Sequence, residues 1–197
     1  MAELRDIIKD LKANTIKFLP GEHDASMDNG EAYQEFFGKT HYTFDHKGVH
    51  FITLDNVSDP KGNLGEAQLQ WLGEETKKLD KDSQIIVLTH RPLFDLYPQW
   101  EWATPDGAKA IDILMPYTNV TVFYGHIHQE HHDMTGHIPH HAAKGVMYPL
   151  PAPGSVPKKA PVPWDASAPY KGLGFRSIKA RISKKECEIT ENPIQES

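Results

Sequence analysis

Two histidines, His126 and His128, follow an apolar run at residues 120–123 that is typical of a buried β-strand. Side chains two positions apart at the end of a strand point the same way, into the crevice where open α/β sheets bind ligands. Neutral imidazole is the commonest metal ligand in proteins. The pair therefore predicts a metal site at the carboxyl end of this strand.

The same arrangement occurs at two other places in the chain. His90 follows the apolar run at 85–88, and His23 comes shortly after the apolar run at 16–19. Each run is short enough for a strand, and each carries histidine at the same end. Three strand ends that all deliver histidine indicate one shared site, because ligands of open α/β sheets bind where the strands end.

The hydrophobic pattern predicts strands that alternate with helices, which indicates an α/β sheet in a single domain over 1–197. The predicted elements are a helix at 3–12, a strand at 16–19, a helical turn at 31–37, a hairpin of strands 42–44 and 49–54, a helix at 65–79, a strand at 85–88, a loop at 91–105, a helix at 106–115 and a strand at 120–123. Six prolines between 149 and 163 predict an irregular arm, a kind of long loop that is often functional. A second hairpin is predicted at 175–190, with its connection near Lys184.

The bulk composition excludes several classes of function. The chain has 197 residues, a formal net charge of −6 and one cysteine, Cys187. The negative charge argues against a nucleic-acid partner, and one cysteine rules out an intrachain disulfide and a cysteine-rich zinc site. No apolar run is long enough to span a bilayer, so no membrane partner is expected. Residues 1–15 lack the apolar core of a signal peptide, which makes the cytoplasm the default compartment and export the alternative if a signal preceded Met1.

Three short blocks resemble the calcineurin-like metallophosphoesterase superfamily. Residues 21–24 (GEHD) are similar to its Gly-Asn-His-Asp/Glu block, His90 to its later strand-end histidine, and residues 125–128 (GHIH) to its Gly-His-x-His block. The segment 64–72 also resembles a helix that these enzymes often carry between the third and fourth blocks. The order and spacing agree across 16–128, which makes the combination specific although each block alone is weak.

The chain differs from the family pattern in two respects. It contains neither the Asp-x-His block nor the Gly-Asp-x-x-Asp block, and Glu22 stands where the family has asparagine. Because the first helix resembles the one that follows the second block, we expect an amino-terminally truncated member that lacks the first βαβ portion of the fold. Glu22 can replace the asparagine oxygen as a ligand, and its negative charge favours harder cations such as manganese.

The resemblance implies an α/β fold of two facing mixed β-sheets flanked by helices. It also implies hydrolysis of a phosphomonoester or phosphodiester by hydroxide held on two divalent cations, which are Mn, Fe or Zn. The implied metal ligands are His128 for the first cation and His90, His126 and Glu22 for the second. His23 would act as general acid beside the leaving oxygen, oriented by Asp24.

Charge limits how much metal this sequence can hold. Glu22 is the only matched carboxylate available to lie between two divalent cations. Cations that close repel strongly in a low-dielectric crevice unless anions separate them. We therefore expect one metal at most, on His90, His126 and either Glu22 or His128, and weak or no hydrolysis by this chain alone.

Three further residues are candidates for substrate binding, with a structural role as the alternative for each. Arg91 carries a guanidinium that can pair with phosphate, Asp55 ends a strand at the crevice, and His131 follows the GHIH block closely. The dense histidines between 131 and 141 predict either a polar, solvated loop or an accessory metal patch. Lys159, in the proline-rich arm, is expected to be solvated.

Two other functions fit the same sequence. One is a non-catalytic metal-binding protein that keeps the histidines without the chemistry, and the other is an interaction module derived from the fold. Missing first strands would leave sheet edges exposed, and exposed edges pair with other chains, so a homodimer through these edges is expected. Metal analysis separates the enzyme and the metal-binding protein from the interaction module. Replacement of His23 separates the enzyme from the metal-binding protein.

Overall fold

The computed structural model of the protein describes residues 2–181 and 184–195. The helices are α1 (Ala2–Ile8), α2 (Glu22–Ala25), α3 (Glu31–Phe37), α4 (Glu66–Thr76) and α5 (Gly107–Leu114), with a 3₁₀ turn at Pro98–Trp100. The strands are β1 (Tyr42–His46), β2 (Val49–Leu54), β3 (Gln84–Thr89), β4 (Asn119–Tyr124), β5 (His131–Thr135), β6 (Ile138–Ala142), β7 (Gly174–Arg181) and β8 (Lys184–Pro193).

The described strands form two sheets. One has six strands in the order β1-β2-β3-β4-β6-β5, and the other is the antiparallel pair β7-β8. The inner strands β2, β3, β4 and β6 run parallel, whereas the edge strands β1 and β5 are antiparallel to their neighbours. Parallel neighbours need a crossover, which α4 supplies between β2 and β3 and α5 between β3 and β4. The prediction of an α/β fold with two sheets is confirmed.

Both faces of the large sheet are covered. Ile85 and Val87 of β3 belong to a buried cluster with Leu72 of α4 and Leu114 of α5. Ile86 points to the opposite face, in a cluster against which the β7-β8 hairpin packs. A strand that is covered on both faces reads as an unbroken apolar run, because its side chains alternate between the faces. Burial of each such side chain stabilises the folded state by about 1.5–3 kcal/mol. This core therefore holds β3 and β4 in place, and with them the positions at which the two strands end.

Most of the predicted elements are present. The hairpin β1-β2, the helices α3, α4 and α5, the strands β3 and β4 and the C-terminal hairpin β7-β8 all lie within a few residues of the predicted bounds. The arm at 149–163 is irregular, as predicted. The connection of the second hairpin was predicted near Lys184, but that residue belongs to β8. Residues 182 and 183, which join the two strands, lie outside the described residues.

Two predictions near the start of the chain are wrong. Residues 16–19 form no strand, because a strand needs a neighbour and no described residue pairs with them in a ladder. The carbonyl of Phe18 instead accepts a hydrogen bond from Tyr42 Oη at 2.7 Å. The first helix ends at Ile8 rather than near residue 12. Its apolar residues Ile7 and Leu11 are exposed, so no packing stabilises a longer helix.

The histidine-rich segment at 131–141 was expected to be either a polar, solvated loop or an accessory metal patch, and it is not a loop. It forms the β5-β6 hairpin, which turns at Gly136 with a φ of +60°. Ile138, His140 and Ala142 alternate inward and are fully buried. Buried and partly buried side chains alternate along β6, as in any half-buried strand. The sequence does not show this alternation, because histidines occupy both the inward and the outward positions.

The edges of the large sheet are β1 and β5. A homodimer formed through these edges stays a prediction, and light scattering across a range of protein concentrations tests it. Among the described residues, no helix is long and apolar enough to cross a membrane.

Candidate metal centre

The carboxyl ends of β3 and β4 lie side by side. Thr89 and Tyr124 are register partners at the ends of the two strands. One residue further on, the backbone N–H of Gly125 donates a hydrogen bond to the carbonyl of His90 at 3.0 Å. The rings of His90 and His126 consequently lie 5.1 Å apart between centroids. The sheet thus brings together two histidines that are far apart in the sequence.

A tight turn presents His126. The backbone N–H of Ile127 donates to the carbonyl of Gly125 at 2.7 Å, which makes a three-residue turn centred on His126. The φ angles of His126 and His128 are +64° and +53°, values that residues other than glycine rarely adopt. Ile127 is fully buried between them and anchors the turn. Such local strain persists where surrounding packing imposes it, and it is concentrated at functional sites.

Glu22 reaches the two histidines from α2. Its Oε2 atom accepts a hydrogen bond from His126 Nδ1 at 3.0 Å and one from His90 Nε2. The preceding residue, Gly21, makes this approach possible. A Cβ atom at Gly21 would lie 3.1 Å from Cε1 of His90, a distance at which the ring must move.

Glu22 and His126 differ in charge. Burial raises the pKa of the Glu22 carboxyl, but hydrogen bonds from His126 and His90 outweigh that effect and hold the pKa below its usual range. Burial lowers the pKa of His126, and the hydrogen bond to Glu22 opposes this only in part. Near neutral pH the site therefore contains a carboxylate and a neutral His126. With Nδ1 donating to Glu22, the lone pair of that ring is on Nε2.

The residues of the site fit a divalent metal ion. Glu22, His90 and His126 each offer one ligand atom, and these atoms all lie within 4.8 Å of one another. The ring nitrogens that face the Glu22 carboxylate are Nδ1 of His126 and Nε2 of His90, so these two atoms would coordinate a cation beside it. One carboxylate with two imidazoles suits manganese, iron or zinc. Of the two alternatives for the third ligand, the cluster contains Glu22 and not His128.

His128 lines the same cavity but stands apart from this cluster. Its Nδ1 donates to the carbonyl of Tyr148 at 2.6 Å, and its ring lies 4.6 Å from the Tyr148 ring. Gly145 leaves space for the imidazole, since a Cβ there would lie 3.0 Å from its Cγ. A neutral imidazole that donates through Nδ1 keeps a lone pair on Nε2. A role for His128 as the ligand of a first cation stays a prediction.

His23 and Asp24 lie at the mouth of the cavity but do not interact as expected. The His23 side chain is 87% exposed, and its Nε2 lies 3.8 Å from Oε1 of Glu22. Asp24 was expected to orient His23, but its carboxylate accepts a hydrogen bond from the backbone N–H of Gly21 at 3.0 Å. Adjacent helical residues point in different directions, and Asp24 instead caps the start of α2.

Three candidates for substrate binding lie outside the cavity. Arg91 is buried, and its guanidinium lies against Gly62. Asp55 closes a turn by accepting hydrogen bonds from two backbone N–H groups, at 3.0 and 3.1 Å. His131 belongs to β5 and hydrogen-bonds Tyr124 Oη through Nδ1 at 2.8 Å. Substrate binding by these three residues stays a prediction.

The cavity over the cluster has a volume of about 280 Å³ and is closed on one side by the proline-rich arm. Its lining residues are Gly21, Glu22, His23, Asp24, His90, His126, His128, Tyr148, Leu150, Lys159, Ala160 and Pro161. Lys159 was expected to be solvated, but it lines the cavity, and its Nζ donates to the carbonyl of Trp100 at 3.0 Å. The proline-rich composition marked this arm as a functional loop, but nothing in the sequence singled out Lys159 from Lys158.

Known proteins that are similar to this chain include one curated relative and two solved structures. A curated relative from Fibrobacter succinogenes, named a probable cyclic nucleotide phosphodiesterase, is 27% identical over 136 residues. The match covers 63% of this chain and 49% of that protein, so the chain spans about half the length of the curated relative.

Two solved structures are similar at a lower level. A dimetal phosphatase from Danio rerio has a TM-score of 0.44 and 14% identity, covering 54% of this chain and 49% of that one. A purple acid phosphatase from seeds of yellow lupin (Lupinus luteus) has a TM-score of 0.49 and 17% identity, covering 77% of this chain and 31% of that one. The sequence profile described as calcineurin-like phosphoesterase matches residues 2–130, which is more than half of the chain. The chain therefore belongs to the calcineurin-like phosphoesterase family.

Proposed function

We propose that this chain carries the active site of a metal-dependent phosphoesterase that acts on a phosphomonoester or phosphodiester. One observation carries the proposal: Glu22, His90 and His126 converge at the end of the sheet and face a cavity of about 280 Å³. Membership of the calcineurin-like phosphoesterase family supports the reaction class. The relative named a probable cyclic nucleotide phosphodiesterase makes a phosphodiester the first substrate class to test.

Glu22, His90 and His126 would hold one divalent cation. When bound, the cation would polarise the phosphoryl group and make a nucleophile available at neutral pH. The ionised carboxylate of Glu22 offsets part of the positive charge, and the neutral imidazole of His126 needs no deprotonation before it coordinates. The described cluster contains one carboxylate, so a second cation would lack an anion between the two charges. One cation in this cavity is therefore expected, with slow turnover by the chain alone.

Two other side chains complete the proposed site. His23 is exposed at the mouth of the cavity, where it can donate a proton to the leaving oxygen. Lys159 lines the same cavity from the arm, and its positive charge can bind the anionic phosphate.

A metal-binding and turnover assay on matched variants tests the proposal. The wild-type chain should bind one Mn²⁺ in the cavity and slowly hydrolyse bis-p-nitrophenyl phosphate and p-nitrophenyl phosphate. The His126→Ala variant should lose Mn²⁺ binding and turnover together. His46→Ala, at an exposed histidine of β1, serves as the control and should retain both. Equal turnover by wild type and His126→Ala would contradict the proposal.

The single carboxylate in the described cluster also favours a second candidate, a metal-binding protein without catalysis. The His23→Gln variant separates the two functions, because His23 lies outside the three-residue cluster. An enzyme should lose most of its turnover in this variant while its Mn²⁺ affinity stays unchanged. A wild-type chain that binds Mn²⁺ but hydrolyses no faster than His126→Ala would establish the non-catalytic function.

A further inference from the structure

A second pair of imidazoles meets on the β5-β6 hairpin, away from the cavity. His132 of β5 and His141 of β6 are direct register partners. Their Nδ1 atoms lie 2.6 Å apart, and their ring centroids are separated by 4.8 Å. Neither residue lines the cavity over Glu22. We propose that His132 and His141 form a separate binding site for a transition-metal cation that favours imidazole nitrogen.

The geometry of the pair suits a shared cation. A metal ion bound at about 2.0–2.1 Å by two imidazoles holds the two nitrogens roughly 3 Å apart. The Nδ1 atoms of His132 and His141 already approach to 2.6 Å, so a small rotation of the rings admits the ion. The His132 side chain is 48% exposed, which gives the cation direct access from solvent. Copper, zinc and nickel are the divalent cations that imidazole suits best.

A carboxylate behind one ring adds an independent observation. The Nε2 atom of His132 lies 3.4 Å from Oε1 of Glu130. Histidines that bind metal through one nitrogen commonly donate the other N–H to a carboxylate, which fixes the tautomer and makes the ligand more basic. Glu130 is placed to accept the Nε2 proton of His132, and in that tautomer the Nδ1 lone pair faces His141.

The charges around His141 also allow a cation to bind. The positive charge of Arg176 acts on His141, and Arg176 forms an ion pair with Glu191. Its guanidinium also donates to the carbonyl of Ala142 at 2.6 Å. The neighbouring positive charge is thus balanced within the fold.

Titration of the full chain with Cu²⁺ tests this site. Wild type should show two classes of site, one at the Glu22 cluster and one on the hairpin. His132→Gln and His141→Gln should each weaken the hairpin class at least about tenfold, and His126→Ala should remove only the other class. His46→Gln is the matched control, because His46 is an exposed histidine whose cross-strand partner is Val49. Its Cu²⁺ affinities should stay within about twofold of wild type.

A measurement on the wild-type chain covers the case in which a variant fails to fold. Paramagnetic Cu²⁺ should broaden the NMR ring signals of His132 and His141 together, at lower concentrations than the signal of His46. A loss of less than about tenfold in either glutamine variant, or an equal loss in His46→Gln, would overturn the proposal. Broadening of His46 at the same concentration as the pair would overturn it too. The Mn²⁺-dependent turnover of His141→Gln is expected to equal that of wild type, which keeps this test distinct from that of the cavity.

Discussion

Glu22 and His126 are separated by 104 positions in the sequence, yet Nδ1 of His126 donates a hydrogen bond to Oε2 of Glu22 at 3.0 Å. This contact joins the short helix α2 to the turn after β4, and His90 donates to the same oxygen. The carboxylate therefore lies between two imidazoles, and contacts within the fold bring the three proposed ligands together.

Loss of the Glu22 charge should weaken metal binding. We expect Glu22→Gln to lower Mn²⁺ affinity at least about tenfold, equivalent to about 1.4 kcal/mol, because glutamine keeps the shape of the side chain but not its charge. Calorimetric titration measures the change. Glu31→Gln, at an exposed glutamate in the first turn of α3, is the control and should bind Mn²⁺ as wild type does. Equal affinity in Glu22→Gln would remove Glu22 from the ligand set.

Metal binding should require glycine at position 21 because a side chain there would crowd His90, and not because of the backbone conformation. Its φ of −95° is open to any residue, but an added Cβ would lie 3.1 Å from Cε1 of His90. We expect Gly21→Ala to displace the imidazole and to weaken Mn²⁺ binding several-fold with little change in stability.

Gly73 supplies the matched control for Gly21. It lies within α4, where an added Cβ meets nothing within 4 Å. Gly73→Ala should leave Mn²⁺ binding unchanged and raise the free energy of unfolding by about 0.8–1 kcal/mol, because alanine favours the helix over glycine. If both variants bind Mn²⁺ equally well, close packing at Gly21 does not position His90.

The sequence predicted those parts of the site that follow unbroken apolar runs. His90 and His126 come directly after strands that are covered on both faces, and such strands are readable from composition alone. Glu22 was assigned through the family resemblance alone and Lys159 was not assigned, because both depend on contacts between distant segments that one sequence does not encode in a local pattern. The strand expected at 16–19 failed for the same reason, because strand formation needs a partner that periodicity cannot reveal.

The histidine-rich hairpin shows a different limit of sequence reasoning. Histidine occurs both inward, at His140, and outward, at His132, so the residue type carries no information about direction. Only the register of β5 against β6 distinguishes the two positions. The polar composition therefore predicted a loop where a strand pair exists.

Lys159 should affect substrate binding and not metal binding. We expect Lys159→Gln to raise KM for p-nitrophenyl phosphate roughly five-fold, or about 1 kcal/mol, because a partly exposed charge contributes modestly. Mn²⁺ affinity should stay unchanged. Lys158→Gln is the control, since the neighbouring lysine is exposed and does not line the cavity. Equal KM values for the two variants would assign Lys159 no role in binding the phosphate.

Lys159 also connects the arm to the segment that contains Trp100 and Glu101, and a second variant separates this effect from charge. Its Nζ lies 3.3 Å from Oε2 of Glu101. Glu101→Gln weakens that contact but leaves the lysine charge in the cavity. We therefore expect a smaller rise in KM for Glu101→Gln than for Lys159→Gln. A larger rise would indicate that placement of the arm, rather than the ammonium charge, governs binding.

His140 should make the protein less stable in acid. Its side chain is fully buried, and neither ring nitrogen has a hydrogen-bond partner among the described residues. Burial lowers its pKa from 6.5 to about 4, although Asp133 opposes the shift. The unfolded chain therefore takes up a proton before the folded chain does. Stability should be full above about pH 6.5 and should fall as the pH drops toward 4, by up to about 3 kcal/mol.

The His140→Leu variant isolates this contribution. Leucine has a similar size, and it removes two buried polar atoms that lack partners, so stability near pH 7.5 should be equal to wild type or higher by about 1 kcal/mol. Urea unfolding at about pH 7.5 and about pH 4.5 should then show a smaller acid loss in His140→Leu than in wild type. His46→Leu, at an exposed position of β1, should lose stability in acid as wild type does. Parallel losses in wild type and His140→Leu would mean that groups other than His140 govern the acid sensitivity, because a leucine at that position cannot take up a proton in either state.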